Sequence, residues 1–283
     1  IVFGNSAGNG AWGTTNVAPG HNLVTGLGHP TVTPGENADG RYTNADFGNI
    51  LIPIGDDGFT AINVSDVFPD GFNFCGKTYT GGQFYVGWNG YVTFGQGMTS
   101  YTPSGISQST VPIIAPMFLD FDTRGGKSTA PWSADGGKST GSNRIYVDKD
   151  AANKVITITY DDVGEYNRIT NVGNAFQIRL WNKGSGDFDI EFRYENVGWA
   201  KHGSAWTSAG WSAGDRKTFS EIEGSMTAEM ANLASKSNIG QAGVFLWQVR
   251  DGGVRAAGVA VTENSAPGTL VTPLDRKSTR LNS

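Results

Sequence analysis

The sequence predicts an all-β protein: an antiparallel β-sandwich with one short helix and Gly-rich loops. Three observations carry this. Apolar and polar residues alternate with period two in several segments, the pattern of strands with one face toward a core. Glycine supplies 41 of 283 residues without a G-X-Y period, against a usual share of about 7%, which implies many tight turns. Several short strands separated by turn residues favour a sandwich over a helical architecture.

The elements follow in chain order. Asn5 to Gly20 is rich in Gly and Asn, and residues 1–45 read as a linker or the end of a preceding module. Gln83–Trp88 and Tyr91–Phe94 flank Asn89-Gly90, which predicts a hairpin with a two-residue turn. Val111-Pro-Ile-Ile-Ala-Pro-Met-Phe-Leu-Asp-Phe-Asp122-Thr-Arg124 joins an apolar strand to an abrupt acidic exit. Pro112 and Pro116 cannot donate ladder hydrogen bonds, so they place this strand at an edge or at a bulge. Gly125 to Gly141 alternates Gly with Ser, Thr and Lys and reads as a long exposed loop.

Ile145–Val147 and Val155–Tyr160 form a hairpin around Asp148–Lys154. That acidic turn lacks the Gly at its sixth position and the distal Glu of a calcium-binding EF-hand loop. Phe176, Ile178 and Leu180 face opposite Gln177 and Arg179. After the loop Asn182–Gly186, Phe188, Ile190, Phe192 and Tyr194 alternate with Asp187, Asp189, Glu191, Arg193 and Glu195, a strand with one wet face. Met226, Met230 and Leu233 recur at helical spacing behind Ser225 as N-cap and predict the one helix. Gly243–Val249 is a late apolar strand.

Charge and cysteine usage narrow the function. Lys+Arg number 21 and Asp+Glu 26, a net charge of −5, with no basic cluster to neutralise phosphates; nucleic acid is not an expected partner. No apolar run reaches the roughly 18 residues of a membrane helix, so no membrane insertion is expected. Cys75 stands alone, which excludes an internal disulfide or a Cys-rich zinc site. It reads as a small apolar packing residue, and the lack of disulfides fits a bacterial secreted or surface protein.

No catalytic constellation emerges, and the expectation is a protein that is not an enzyme. His21, His29 and His202 lack metal-ligand spacing, and Ser104 and Ser107 sit in no nucleophile-elbow pattern. Asp120 and Asp122 flank Phe121, so an extended chain projects both carboxylates to one face. They read as a strand exit bonding turn amides and Arg124, with metal ligation and acid–base work as the alternatives. Asp56-Asp57 and Asp161-Asp162 read as acidic turns. Trp199, Trp206 and Trp211 cluster among Gly and Ser, either as core or, through Trp206 and Trp211, as a carbohydrate-stacking surface.

The run Val111–Arg124 resembles the "P-I-I-A-P-F-W-x-D-x-D" core of the nidogen-like extracellular domain. Phe72-Asn-Phe-Cys-Gly-Lys-Thr-Tyr79 and Phe84-Tyr-Val-Gly-Trp-Asn-Gly-Tyr-Val-Thr-Phe94 are similar to that family's "F-F-G-x-x-Y" and "V-N-x-N-G-x-I-x-F". Asn174-Ala-Phe-Gln177 resembles its "N-T-F-Q", and Ser237-Asn238 with Gly243–Arg250 resembles its "S-N … G-x-w-x-F-R" ending. The order holds over Asp46–Arg250. Met117-Phe118, Ala175 and the insertion between Arg124 and Asn143 depart from the pattern. The resemblance implies an extracellular cell–matrix adhesion module, with a matrix or cell-surface protein or glycan as partner; the alternatives are a carbohydrate-binding accessory module of a secreted hydrolase and a calcium-stabilised structural spacer.

Two further matches bear on domain organisation. Val259-Ala-Val-Thr-Glu-Asn-Ser-Ala-Pro-Gly-Thr-Leu-Val271 resembles the first strand of a cadherin-like repeat, which makes 251–274 the start of such a repeat. That family binds calcium through the Glu at the position of Glu263, and its remaining acidic ligands would fall beyond Leu274. Asp275-Arg-Lys-Ser-Thr-Arg-Leu-Asn-Ser283 matches the translation of a common sequencing adapter and is set aside from the fold reading. With Ile1 at the start, the chain reads as a fragment of a larger protein.

Overall fold

The computed structural model describes residues 47–48, 50–128 and 139–257. The strands of its first part are β1 (Ile50–Leu51), β2 (Phe59–Ile62), β3 (Phe72–Phe74), β4 (Lys77–Tyr79), β5 (Phe84–Gly87), β6 (Tyr91–Phe94) and β7 (Ile113–Phe118). Four longer strands follow: β8 (Arg144–Asp150), β9 (Val155–Glu165), β10 (Ile169–Gly184) and β11 (Asp187–Val197). The last are β12 (Lys201–His202), β13 (Ala205–Trp206), β14 (Ser208–Ser212), β15 (Phe219–Glu221), β16 (Val244–Arg250) and β17 (Gly253–Ala256).

Two antiparallel sheets face each other. One has seven strands in the order β1-β8-β9-β10-β11-β16-β17, the other six in the order β15-β14-β7-β6-β5-β2. The all-β sandwich expected from the alternation is what forms. β17 hairpins onto β16 and carries the sheet beyond Arg250.

The apolar alternations meet between the sheets. Phe188, Ile190, Phe192 and Tyr194 of β11 and Ile156, Ile158 and Tyr160 of β9 are buried there with Phe72, Phe74, Phe84 and Phe94. Phe68 stacks on Phe72 at 4.1 Å and Tyr160 on Phe176 at 4.5 Å. Each such ring contributes roughly 1.5–3 kcal/mol on burial. Two phenols tie the layers: Tyr160 OH donates to the Gly87 carbonyl and Tyr194 OH to that of Pro116, both at 2.6 Å.

Several expectations are corrected. β7 lies inside its sheet, between β6 and β14, so its prolines do not mark an edge. Pro116 marks a bulge: Ser208 faces Phe118 while Gly210 faces Ala115, leaving an extra residue at Pro116–Met117, whereas Pro112 precedes the strand and its carbonyl accepts from Phe94 N. Pairing with β6 stops at Ile114, so Pro116 has no amide partner to miss there. The 84–94 hairpin pairs Gly87 with Tyr91, giving a three-residue loop rather than a two-residue one. Gly90 closes it at φ 80°, and a Cβ there would stand 1.9 Å from the Met117 carbonyl oxygen.

The expected wet face of β11 is not wet: Asp189, Glu191 and Arg193 are buried. They compensate one another. Glu191 sits opposite Arg179 in register; its Oε1 is 3.2 Å from Arg193 Nη1 and 3.8 Å from Arg179 Nη1. Trp181 Nε1 donates to Glu191 Oε2 at 2.8 Å, and the Arg179 guanidinium lies 4.8 Å from the Trp181 ring. Paired charges tolerate burial that isolated ones do not.

Asp161 and Asp162 lie inside β9 and are fully buried, not in a turn. Asp161 Oδ1 accepts from Thr140 N, and its Oδ2 from the hydroxyls of Thr140 and Ser142; Asp162 accepts from Gly141 N. Ser128 N donates to Gly141 O at 2.7 Å, so the loop expected to be exposed is anchored at its base, with Ser128 and Ser139 buried.

The helix is a 3₁₀ helix over Ala228–Ser235, with Met230 and Leu233 buried. Its cap is Thr227, whose side chain accepts from Glu229 N, and not Ser225. Ser225 Oγ accepts instead from Ala209 N, and Met226 precedes the helix at φ 64°.

Candidate functional site

The Gly55–Gly58 bend is built around Trp88. The indole packs so closely on it that a Cβ at Gly58 would lie 2.1 Å from Trp88 Cζ3. Trp88 N donates to Gly58 O at 3.0 Å, and Thr123 Oγ1 both accepts from Gly55 N and donates to Gly55 O. The bend presents Asp56 and Asp57.

The next residue of the same hairpin loop, Asn89, joins this bend to the exit of β7. Fully buried, it donates from Nδ2 to Asp57 Oδ1 at 3.0 Å and to Ser100 O at 3.3 Å, while its Oδ1 accepts from Phe121 N at 2.8 Å. Phe121 in turn plugs the core, 5.0 Å from Trp199 and 5.7 Å from Phe176.

Asp120 and Asp122 flank this anchored ring and have separate surroundings. The Asp122 carboxylate is filled: Oδ1 accepts from Arg124 N and Nε, and Oδ2 from Arg124 Nη2 and Arg168 N. Burial opposes its ionisation, but these donors hold its pKa below the usual carboxylate value. Asp120 instead lines a cleft of about 480 Å³ with Asp56, Asp57, Tyr101, Tyr166 and His202. Burial, then the charge of Asp57, push its carboxyl up to about 6.

The far wall comes from the end of β9 in the seven-stranded sheet and from β12, which pairs with β13 in a separate two-stranded sheet. Tyr166 N donates to Asp120 O at 3.1 Å just after β9 ends, and Phe121 bridges to Glu165. His202, on β12, lies with Nδ1 2.8 Å from Glu165 Oε1 and Nε2 3.8 Å from Asp120 Oδ2. Tyr166 meets the His202 ring edge-on at 5.6 Å. Tyr101 and Tyr166 are 48% and 44% exposed, so the rim carries two aromatic faces over an acidic floor. Such a floor accepts hydrogen bonds from hydroxyls or holds a cation, and the faces stack on apolar or sugar surfaces.

Asp56, Asp57 and His202 were not legible as partners of Asp120, being distant in sequence and in turn-like contexts. The Gly55-Asp-Asp-Gly58 bend was visible; the Trp88 that seats it was not assignable. Trp211 is 6% exposed and packs edge-on against Phe74 at 6.1 Å, inside the core, with Trp199 likewise buried. Trp206 is half-buried, with Lys201 Nζ 5.0 Å from its ring centre. Burial pushes the half-buried Cys75 thiol up to about 12, far from a reactive thiolate. Glu263 lies outside the described residues, as do Val259–Val271, which carry the cadherin-like resemblance, and Asp275–Ser283; of the 251–274 segment only 251–257 are described, and there Gly253–Ala256 forms β17 of the seven-stranded sheet. Among the described residues no helix is long and apolar enough to cross a membrane.

Compared with known families, the chain matches the nidogen-like domain over residues 82–251. The match runs from just before β5 to the residue after β16 and so takes in most strands of both sheets. No solved structure matches the chain.

Proposed function

The chain belongs to the nidogen-like domain family, a family of extracellular adhesion-type modules, and from that premise we propose that it serves as a non-enzymatic cell–matrix adhesion module of a larger surface or secreted protein. Its ligand on this reading is a matrix or cell-surface protein or glycan, and its setting is the outside of a bacterial cell. The carrying observation is the match over 82–251, which covers both faces of the sandwich core and the Asp120–Asp122 strand exit. The resemblance of Val259–Val271 to the start of a cadherin-like repeat, with Glu263 at its calcium position, fits a tandem extracellular array. The test is binding of the purified chain to immobilised matrix proteins, to cells and to a glycan array. Saturable binding to one class supports adhesion; no binding to any of them counts against it.

A second reading is a carbohydrate-binding accessory module of a secreted hydrolase. Favouring it are the exposed faces of Tyr101 and Tyr166 above the carboxylates. Trp211 is in the core and offers no stacking face; Trp206 retains part of one. Polysaccharide retention by wild type and its loss in Tyr101→Ala and Tyr166→Ala would favour this reading over protein adhesion.

A further inference from the structure

One carboxylate oxygen from each of Asp56, Asp57 and Asp120 lies within 4.8 Å of the other two. Like charges this close are unfavourable without a counter-charge. Part of the charge is answered: Arg124 Nη2 reaches Asp56 Oδ2 at 2.5 Å, and Asn89 donates to Asp57 Oδ1. The rest is not.

The second observation is independent of charge proximity. The Asp120 side chain is 8% exposed, faces the cleft, and its Oδ1 is buried without a hydrogen-bond partner; Asp56 Oδ1 is buried and unpartnered as well. A buried carboxylate oxygen without a donor costs free energy that a folded protein ordinarily recovers with a partner. His202 does not supply it: Nε2 is 3.8 Å from the other oxygen, Oδ2, and Nδ1 is engaged by Glu165.

We propose that Asp56, Asp57 and Asp120 form a calcium site at the seam between the Gly55–Gly58 bend and the exit of β7. The donors are hard carboxylate oxygens, which suit calcium over softer metals. Calcium takes six to eight oxygens in a flexible shell, and a half-open cleft leaves room for water to complete it. Magnesium needs stricter octahedral geometry at shorter distances, which oxygens drawn from a bend and a strand exit do not offer. Bound there, the ion staples two segments that otherwise communicate through Asn89 and Arg124. This site is separate from Glu263, and it stands or falls independently of adhesion.

The test uses the full chain, stripped with chelator and titrated with terbium, whose emission nearby aromatic rings such as Trp88, Tyr101 and Tyr166 sensitise. Expected is a saturable terbium signal displaced by calcium, with Asp57→Asn and Asp120→Asn each weakening affinity by roughly tenfold or more. Glu263→Gln should leave the signal unchanged. Asp57 is exposed, so its variant tests the site even if Asp120→Asn does not fold. No saturable signal in wild type, unchanged affinity in a folded Asp57→Asn protein, or loss of the signal with Glu263→Gln alone would each overturn the proposal.

Discussion

Asn89 donates to Asp57 Oδ1 over 3.0 Å and so couples the 88–90 hairpin loop to the acidic bend, while its own Oδ1 fixes Phe121 N. One buried amide thus sets the position of a carboxylate and the register of a strand exit. Asn89→Ala leaves the Phe121 amide without its acceptor and is expected to cost about 2–4 kcal/mol, read from the urea midpoint at constant slope. Asn89→Asp keeps the acceptor for Phe121 but sets a second carboxylate against Asp57, and should also destabilise.

The two interlayer phenols give a second expectation. Tyr160→Phe and Tyr194→Phe each leave ring packing intact and remove one hydroxyl from a buried carbonyl, of Gly87 or of Pro116. Each should cost about 1–2 kcal/mol in equilibrium unfolding. A cost near zero for Tyr194→Phe would mean that the Pro116 bulge does not depend on this tie.

The tryptophans separate by burial. Trp211→Ala opens a hole between the sheets and should cost about 3–5 kcal/mol, whereas Trp206→Ala loses a half-buried ring and the Lys201 contact, about 1 kcal/mol. Thermal unfolding of the two variants side by side checks the order. A polysaccharide-binding defect in Trp211→Ala would therefore report folding, not a lost contact.

Asp162 predicts a pH dependence. Burial, then Asp161, raise its folded pKa to about 6 from an ordinary 3.8, with Gly141 N opposing the shift. Between those values the folded chain binds more protons than the unfolded one, so this group's contribution to stability falls as pH rises from about 4 through about 6. Asp162→Asn removes the term while keeping an acceptor for Gly141 N. The variant should gain on wild type by about 1–3 kcal/mol between roughly pH 4 and pH 7.5, measured as the difference in urea unfolding at the two values. A difference independent of pH would show that Asp162 ionises at its ordinary value in the folded chain.

Much of the fold was legible. Period-two alternation at Phe188–Tyr194, Ile156–Tyr160 and Phe176–Leu180 named the inward faces because side-chain direction in a strand is a local property. The Val111–Arg124 run carried the family resemblance for the same reason: prolines, apolar residues and acidic exit lie together in sequence. Alternation cannot say whether the opposite face meets water, and Asp189, Glu191 and Arg193 do not. Nor could propensity decide between Ser225 and Thr227 as the helix cap, since Ser225 is claimed by Ala209 N of β14, distant in sequence.

The sequence alone therefore determined the class of fold, the inward faces of the long strands and the family, all of which depend on residues near one another in the chain. Only the tertiary structure decided the candidate site. Asp56, Asp57, Asp120 and His202 meet because Trp88 seats the bend, Asn89 bridges it to Phe121, and the second sheet brings Glu165 and Tyr166 across the seam. Those are long-range contacts fixed by packing between layers, and no local pattern encodes which acidic turn will face which.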